Sequence, residues 1–478
     1  MDKKDIKKQN LPNIVQARKR IKKAMIKRDE FKIDDDMSDF GKHKTYYIRT
    51  YGCQSNVRDG ETIKGILEKM KFSSTDDIMS ADLVILNTCA IRENAENKVF
   101  GELGLLKKSK QKNPNMILGM SGCMSQSEKV VNKILNKYQY VDFIFGTHNI
   151  HRLPQILKNL KLEKQMVIDV WSQEGDIIEN IPNSRDNKIK AWVNIMYGCD
   201  KFCSYCIVPY TRGKIRSRLK EDILAEVDDL IKKGYQEITL LGQNVNSYGI
   251  DLKEKIDFAA LLKLIAQTKI KRIRFATSNP WNWNSKIIDI CKEYPNIMPY
   301  FHLPIQSGSE HILKKMNREM KIEDYKAKIS YIKKQIPHAA ISTDIIVGFP
   351  NESDDDFQAT LDLYNDIKFD NAYTFIFSPR EGTPAASMSD DIKPEVKKQR
   401  LQALNELVKK YAAENNKKYI NQVIDVLVEG ESKTNNEKLT GYSPQWKVVN
   451  FKGKAKPGEI IKVKINSASR FSLNGEQV

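Results

Sequence analysis

The sequence predicts a multidomain α/β protein with three parts: an N-terminal α/β open-sheet domain, a central partial (β/α)6 barrel of the TIM type, and a small C-terminal antiparallel β-barrel. Three observations carry that reading. At 478 residues the chain exceeds what a single core usually serves. From Lys44 to about residue 417, short β-branched and aromatic runs alternate with helix-length amphipathic segments, as parallel strands with right-handed crossovers require. From about Tyr419 the helical segments stop, and the remaining runs are short and broken by Gly and Pro.

Residues 1–43 form an extension crowded with Lys and Asp, in which "NIVQARKRIKKAMIKRDEF" has the spacing of an amphipathic helix. The first domain, 44–162, takes its strands from "KTYYIRTYGC", "ADLVILNTCA", "NMILGMSGC" and "VDFIFGTHN". A linker is expected over 163–184, and the polar, weakly periodic stretch 171–190, "WSQEGDIIENIPNSRDNKIK", reads as the connection between two domains. Over 185–417, six apolar runs each end in a small or polar cluster: "AWVNIMYGC", "EITLLGQN", "RIRFATSNP", "MPYFHLPIQSG", "AAISTDIIVGFP" and "AYTFIFSPREG". Six βα units curl into an open barrel whose strand ends should carry the chemistry. Leu401, Leu404, Val408 and Tyr411 then mark the buried face of a closing helix. Residues 418–478 supply the small barrel.

A net charge of +18 and a pI near 9.3 favour polyanionic partners, nucleic acid first among them, although Lys is abundant throughout the chain. No apolar run approaches the ~18 to 20 residues of a membrane span, and "MDKKDIKKQN" leads into no signal-peptide core, so a cytoplasmic location is expected. Seven cysteines, an odd number in so long a chain, point to metal or thiolate chemistry and away from a disulfide framework.

Three of them, Cys199, Cys203 and Cys206 in "YGCDKFCSYC", follow the first barrel strand. Zinc would want a fourth ligand nearby, and neither Cys nor His follows before Cys291. An iron–sulfur cluster on three thiols instead keeps one iron open to a small molecule. Zinc and unrelated buried thiols stay as alternatives at this point. Cys53, Cys89 and Cys123 are far apart in sequence, yet each directly follows an apolar run of the first domain. At the carboxyl edge of a parallel sheet such positions converge on one crevice. Any one of them alone would read as a small buried hydrophobe, which is how Cys291 reads beside Ile287 and Ile288. His302, at a strand end, is open between a structural and a catalytic role.

C-x3-C-x2-C with Tyr205 before its last cysteine resembles the signature of radical S-adenosylmethionine enzymes. The resemblance implies a [4Fe-4S] cluster on Cys199, Cys203 and Cys206 whose open iron binds S-adenosylmethionine and cleaves it to a 5′-deoxyadenosyl radical. "TYGCQSN", "LNTCAIRENAENKV", "GCMSQ", "GTHNI", "VPYTRGKIRSR", "LLGQNVNSYG", "HLPIQSGS", "STDIIVGFPNE" and "FSPREGTPAA" extend it. Over residues 44–478 the chain is similar to the methylthiotransferase family, with a C-terminal TRAM-like domain. That family implies a second [4Fe-4S] cluster on Cys53, Cys89 and Cys123. "TYGCQSN", "VPYTRG" and "LVEG…LTGY…VVNF" look most like members that act on tRNA.

For those members the implied reaction adds a methylthio group to carbon 2 of N6-isopentenyladenosine at position 37 of tRNA. One S-adenosylmethionine methylates sulfur on the second cluster and another supplies the radical. The scheme needs the first domain over the C-terminal mouth of the barrel. Gln243, Asn244, Gln306, Ser307, Ser342 and Asp344, at or on barrel strands, are candidate S-adenosylmethionine contacts together with Tyr205. Arg212 and Arg216 are candidates for phosphate or cofactor carboxylate. Lys447, Lys452, Lys454 and Lys456, interleaved with Trp446 and Phe451, suit RNA attraction and base stacking. A reductant such as flavodoxin or ferredoxin and a monomeric state complete the expectation. Two departures from the family pattern stand out: "TSNP" replaces Ser-His-Pro at Asn279, and "MNREM" replaces Met-Asn-Arg-Gly-Tyr at Glu319. The alternatives are a relative acting on threonylcarbamoyladenosine tRNA or on a ribosomal-protein aspartate, and a non-enzymatic iron–sulfur protein that binds RNA or senses redox state.

Overall fold

The computed structural model describes residues 11–18, 26–27, 31–90, 93–175, 177–276, 278–433 and 435–478. The described chain separates into two compact units. One comprises the chain up to 186 with 196–202 and 206–218, and the other 187–195, 203–205 and 219–478. Among the described residues no helix is long and apolar enough to cross a membrane.

The first unit is built on a six-stranded parallel sheet in the order Ser73–Ser74, Thr45–Thr50, Leu83–Thr88, Ile117–Gly122, Phe143–Phe145 and Val167–Asp169. Side chains alternate across a strand, so Leu83 and Ile85 enter one core while Val84 and Leu86 enter the other. Ile63, Ile66 and Leu67 of helix Gln54–Lys69 cover the first face with Leu153, Ile156 and Leu157 of helix Leu153–Glu163. Val99, Leu103 and Leu106 of helix Glu93–Lys112 cover the second with Val130, Val131 and Ile134 of helix Glu128–Lys137. Burial on both faces is why all six residues of Leu83–Thr88 are buried and why that strand reads as a continuous apolar run.

Two expectations are corrected here. The stretch 163–184 is more than a linker, because Val167–Asp169 forms the last strand of the sheet. Three residues are too short to display a period, yet Val167 and Ile168 enter the two opposite cores, and Asp169 is buried against Arg152 Nε at 2.8 Å. Of the amphipathic helix expected over 13–31, Ile14–Arg18 is helical, but Ile26–Lys27 is extended and pairs in parallel with Ile177–Ile178. Residues 19–25 and 28–30 lie outside the described residues.

The second unit holds six parallel strands in two triplets. Arg272–Phe275, Glu237–Leu241 and Lys190–Asn194 form one, and Tyr300–His302, Ala340–Val347 and Asn371–Ile376 the other. They meet through a parallel bridge between Ile273 and Ile297 and a hydrogen bond from Met298 N–H to the Ile273 carbonyl at 2.8 Å. The closing helix is Pro394–Lys417, with Leu404 and Tyr411 fully buried and Leu401 and Val408 half-buried.

Val423–Ser432, Asn435–Tyr442, Val448–Lys452, Ser472–Gln477 and Ile460–Ala468 close, in that order, into a five-stranded barrel. All neighbours are antiparallel except Val448–Lys452 and Ser472–Gln477, which run parallel. An odd number of strands in a closed ring cannot alternate direction throughout, so one parallel pair is unavoidable. Beneath this barrel the Arg274 guanidinium donates to the carbonyls of Ser443 and Pro444, both at 2.8 Å, and pairs with Glu237 at 3.0 Å. Both aromatics expected to stack on RNA have partners within the fold, Trp446 half-buried and Phe451 fully buried. Trp446 packs on Tyr300, with ring centroids 5.7 Å apart, and on the Arg274 guanidinium at 4.4 Å, while Phe451 lies in the barrel core. Lys447 pairs with Asp370 at 3.0 Å, which leaves Lys452, Lys454 and Lys456 as the exposed basic residues of that set.

Candidate metal centres

Three sheet strands end one residue, or a short turn, before the first-domain thiols. Thr45–Thr50 leads to Cys53, Leu83–Thr88 to Cys89, and Ile117–Gly122 to Cys123. Cys53 is the N-cap of the 16-residue helix Gln54–Lys69, and Cys123 opens a short 3-10 turn. Glycine precedes both for a steric reason. Gly52 has φ +133°, and a side chain there would meet the Cys89 Cβ at 2.5 Å; Gly122 has φ +96°, with the Thr88 carbonyl 2.2 Å from where its Cβ would be.

A pair of buried asparagines locks the strand ends together. Asn56 Nδ2 donates to the Thr88 carbonyl at 2.9 Å, Asn87 Nδ2 donates to the Asn56 carbonyl at 2.6 Å, and Asn56 Oδ1 lies 3.4 Å from the Cys53 sulfur. The Cys53 thiol is lowered to about 5, first by its hydrogen bond with Cys89, which together with the Arg212 charge and the N–H groups of Asn56 and Ser55 outweighs burial. Burial pushes Cys123 up, with the Arg212 charge opposing it.

Arg212 is itself buried, 6% exposed, and its Nε donates to the Cys123 sulfur at 3.2 Å while Nη2 donates to Asp59 at 2.6 Å. Two further arginines of "YTRGKIRSR" are also engaged by protein groups. Arg216 donates to the carbonyls of Gly175 at 2.7 Å and Arg212 at 3.2 Å, and Arg218 makes a two-pronged pair with Glu179 at 2.8 and 2.7 Å. Phosphate or a cofactor carboxylate was expected for Arg212 and Arg216; within this unit Arg212 meets Asp59 and Cys123, and Arg216 meets backbone carbonyls.

The second triad sits on a single eight-residue loop. Cys199 N–H donates to the Gly213 carbonyl at 3.0 Å. In the middle of the loop, Ser204 donates from its N–H to Met316 and from its hydroxyl to Lys315, at 2.9 and 2.8 Å, using carbonyls that end helix Glu310–Lys315. Cys203 is buried, and Arg318 Nη1 lies 3.5 Å from its sulfur and 3.3 Å from the Tyr205 hydroxyl.

Among the other predicted contacts, several are engaged inside the barrel unit. Asn244 donates to Ser247 at 2.6 Å and accepts from the Asn279 N–H at 3.0 Å. Ser307 caps the Ser309 N–H at 3.2 Å and faces Thr360. Ser342 meets His302 Nδ1 at 2.9 Å, and His302 Nε2 lies 3.4 Å from Asp344, so this histidine is satisfied within the fold. Gln306 is buried with φ +80° and bridges to Ile345 beside Asp344; Gln243 is half-buried at the end of Glu237–Leu241. Cys291 is buried with Ile287 and Ile288 on helix Ser285–Glu293. Of the two departures, Asn279 caps the turn Pro280–Asn282, and Glu319 is exposed.

Reading the sequence missed Asn56, Asp59, Asn87 and Arg318. A signal existed for two of them: Asn56 and Asp59 follow Cys53 at spacings of three, which puts polar groups on the buried face of the helix that Cys53 begins. Arg318 stands next to Glu319, in the segment already singled out for its departure. Among the described residues, no three His, Cys, Asp or Glu side chains converge as donors to a single metal ion. A four-iron cluster binds each thiolate through a separate iron, so its donors need not meet at a point. Thiols at parallel strand ends, one strongly acidified, with guanidinium donors on sulfur, fit such a group.

Family descriptions match three segments: the radical SAM superfamily over 193–364, the uncharacterized protein family UPF0004 over 45–146, and the TRAM domain over 417–478. The chain is 57% identical to a tRNA-2-methylthio-N(6)-dimethylallyladenosine synthase of Malacoplasma penetrans, covering 100% of this chain and 97% of that protein. It is 53% identical to the Bacillus subtilis protein of the same name, over 98% and 92%, and 52% identical to that of Staphylococcus aureus, over 98% and 91%. Among solved structures, the radical S-adenosylmethionine methyltransferase TsrM from Kitasatospora setae with cobalamin and a [4Fe-4S] cluster bound is similar in fold. The TM-score is 0.54 at 12% identity, over 72% of this chain and 77% of that one.

Proposed function

Because the chain belongs to the tRNA-2-methylthio-N(6)-dimethylallyladenosine synthase family, we propose that its two cysteine triads divide one reaction between them. The protein is a radical S-adenosylmethionine tRNA methylthiotransferase, and it adds a methylthio group to carbon 2 of N6-isopentenyladenosine at position 37 of tRNA. Cys199, Cys203 and Cys206 hold a [4Fe-4S] cluster that serves S-adenosylmethionine, and Cys53, Cys89 and Cys123 hold a second one. When bound, the first supplies the electron for radical formation and the second the sulfur, chemistry that acid–base groups do not offer at an unactivated carbon.

The observation that carries the second site is the meeting of three parallel strand ends at Cys53, Cys89 and Cys123, with Cys53 acidified to about 5. There the protein's part is to keep the Cys53 thiolate ready and to fix the spacing of the strand ends through Asn56 and Asn87. In the barrel, Arg318 orients Cys203 and Tyr205. Gln243, Asn244, Gln306 and Asp344 are the strand-end groups assigned to S-adenosylmethionine. Lys452, Lys454 and Lys456 supply exposed positive charge for tRNA phosphates. The enzyme works as a cytoplasmic monomer with a flavodoxin- or ferredoxin-type reductant.

The test is mass spectrometry of tRNA nucleosides from cells lacking the protein. Disappearance of 2-methylthio-N6-isopentenyladenosine, with restoration by the wild-type chain, is expected. Loss of the methylthio form of threonylcarbamoyladenosine instead, or of a modified ribosomal-protein aspartate, would replace the substrate. Anaerobically reconstituted protein should hold about eight irons.

A further inference from the structure

The arginine that follows the barrel's cysteine loop, Arg212, makes its contacts at the other triad. Its Nε–H lies 3.2 Å from the Cys123 sulfur, its Nη2 lies 2.6 Å from Asp59, and both residues of the ion pair are 6% exposed. Asp59 sits on the helix whose N-cap is Cys53, so the pair ties the Cys123 turn to the helix that begins at Cys53. A buried charge is costly unless it is matched. Here the guanidinium is matched on one side by a carboxylate and on the other by sulfur. His148, also buried and held well below its usual value by burial and by the Arg216 and Arg212 charges, adds no competing cation.

We propose that Arg212 and Asp59 form a charge-setting pair for the cluster on Cys53, Cys89 and Cys123: Arg212, through its N–H on the Cys123 sulfur, stabilises the more negative, reduced state, and Asp59 holds Arg212 in place while moderating its charge. Both are positioning residues. The inference rests on the two-cluster reading above. Hydrogen bonds to cluster sulfurs and the net charge around them are what set reduction potentials in iron–sulfur proteins. The two partners therefore have opposite expected effects. Removing the guanidinium should make reduction harder. Asp59→Asn keeps an oxygen that can accept from Nη2 but removes the negative charge, and should make reduction easier.

The experiment uses the full chain carrying Cys199→Ala, Cys203→Ala and Cys206→Ala, so that only the second cluster assembles, followed by iron analysis and an anaerobic redox titration read by electron paramagnetic resonance. The parent should hold about four irons. Arg212→Gln should retain them and lower the ratio of reduced to oxidised cluster at a fixed potential about tenfold, equivalent to about 59 mV for one electron. Arg212→Lys should fall between, and Asp59→Asn should raise the ratio. If Arg212→Gln fails to hold iron, Asp59→Asn decides alone, a raised ratio supporting the pair and an unchanged one overturning it. Four irons with unmoved or same-direction potentials in both variants would overturn this inference and leave the two-cluster reading standing. A parent that binds no iron would defeat that reading and the inference with it.

Discussion

Arg318 is directed at Cys203: its Nη1 lies 3.5 Å from the cysteine sulfur, while the Trp281 ring covers its guanidinium at 4.6 Å and the Pro304 carbonyl accepts from Nη2. The guanidinium is buried in the barrel unit, so it acts on the Cys203 sulfur with little screening. Arg318→Gln should slow reductive cleavage of S-adenosylmethionine by roughly 10- to 100-fold, the usual cost of losing an outer-shell partner. Arg318→Lys, which keeps the charge but not the fork, should recover part of it. The measurement is 5′-deoxyadenosine released after dithionite, with iron counted in each variant.

Cys89 and Cys203 should fail differently. Cys89→Ala removes one thiol from the strand-end set and should retain 5′-deoxyadenosine formation while abolishing methylthio product on isopentenylated tRNA. Cys203→Ala should lose both. Equal loss of cleavage in the two variants would contradict the division of labour between the triads.

Arg274 and Glu237, 3% and 1% exposed, pair beneath Trp446 and the Ser443–Pro444 carbonyls of the C-terminal barrel. Arg274→Ala leaves Glu237 buried without its partner and should cost roughly 3–5 kcal/mol. It should also expose the joint between the two barrels of this unit to proteolysis. Glu237→Gln with Arg274→Met, which removes both charges and keeps the volume, should lose much less. Urea unfolding with limited proteolysis distinguishes them, and equal damage from both variants would show that the guanidinium's hydrogen bonds to the Ser443 and Pro444 carbonyls, lost in both, hold the joint and that the unpaired Glu237 charge adds nothing.

Leu83–Thr88 and Glu237–Leu241 are legible because burial on both faces writes them as continuous apolar runs. The position of a cysteine just after such a run is equally local, and so was visible. What escaped was long-range partnership. Arg212 is separated from Asp59 by 153 residues, and an arginine in a polar loop reads the same whether it meets a cofactor carboxylate or an aspartate of the fold. Trp446 and Phe451 escaped for another reason. Aromatics alternating with lysines describe the inside and outside of a small barrel as well as an RNA-stacking face, and only closure of the five strands turns Phe451 inward. Val167–Asp169 was invisible because three residues cannot show a period of two.

The loop carrying Gln306 is held by a carboxylate whose state depends on pH. Asp356 closes a capping box with Ser353 at the start of helix Asp354–Ile367, and it also accepts from the Ser309 hydroxyl at 2.5 Å and faces His311 at 3.1 Å. Burial pushes this carboxyl up, but the hydrogen bonds from Ser309, Ser353 and His311 prevail and bring it down to about 2 from the usual 3.8. A carboxylate acidified by folding stabilises the fold in full above its unfolded value and loses that contribution as the pH falls through the folded one. Asp356→Asn should therefore be less stable than the parent by about 1–2 kcal/mol at neutral pH, the typical scale of a lost cap. The gap should narrow between about pH 4 and pH 2. Urea unfolding of the metal-free protein across that range is the check. A gap that stayed constant would mean that the carboxylate form is not what Ser309 and Ser353 select.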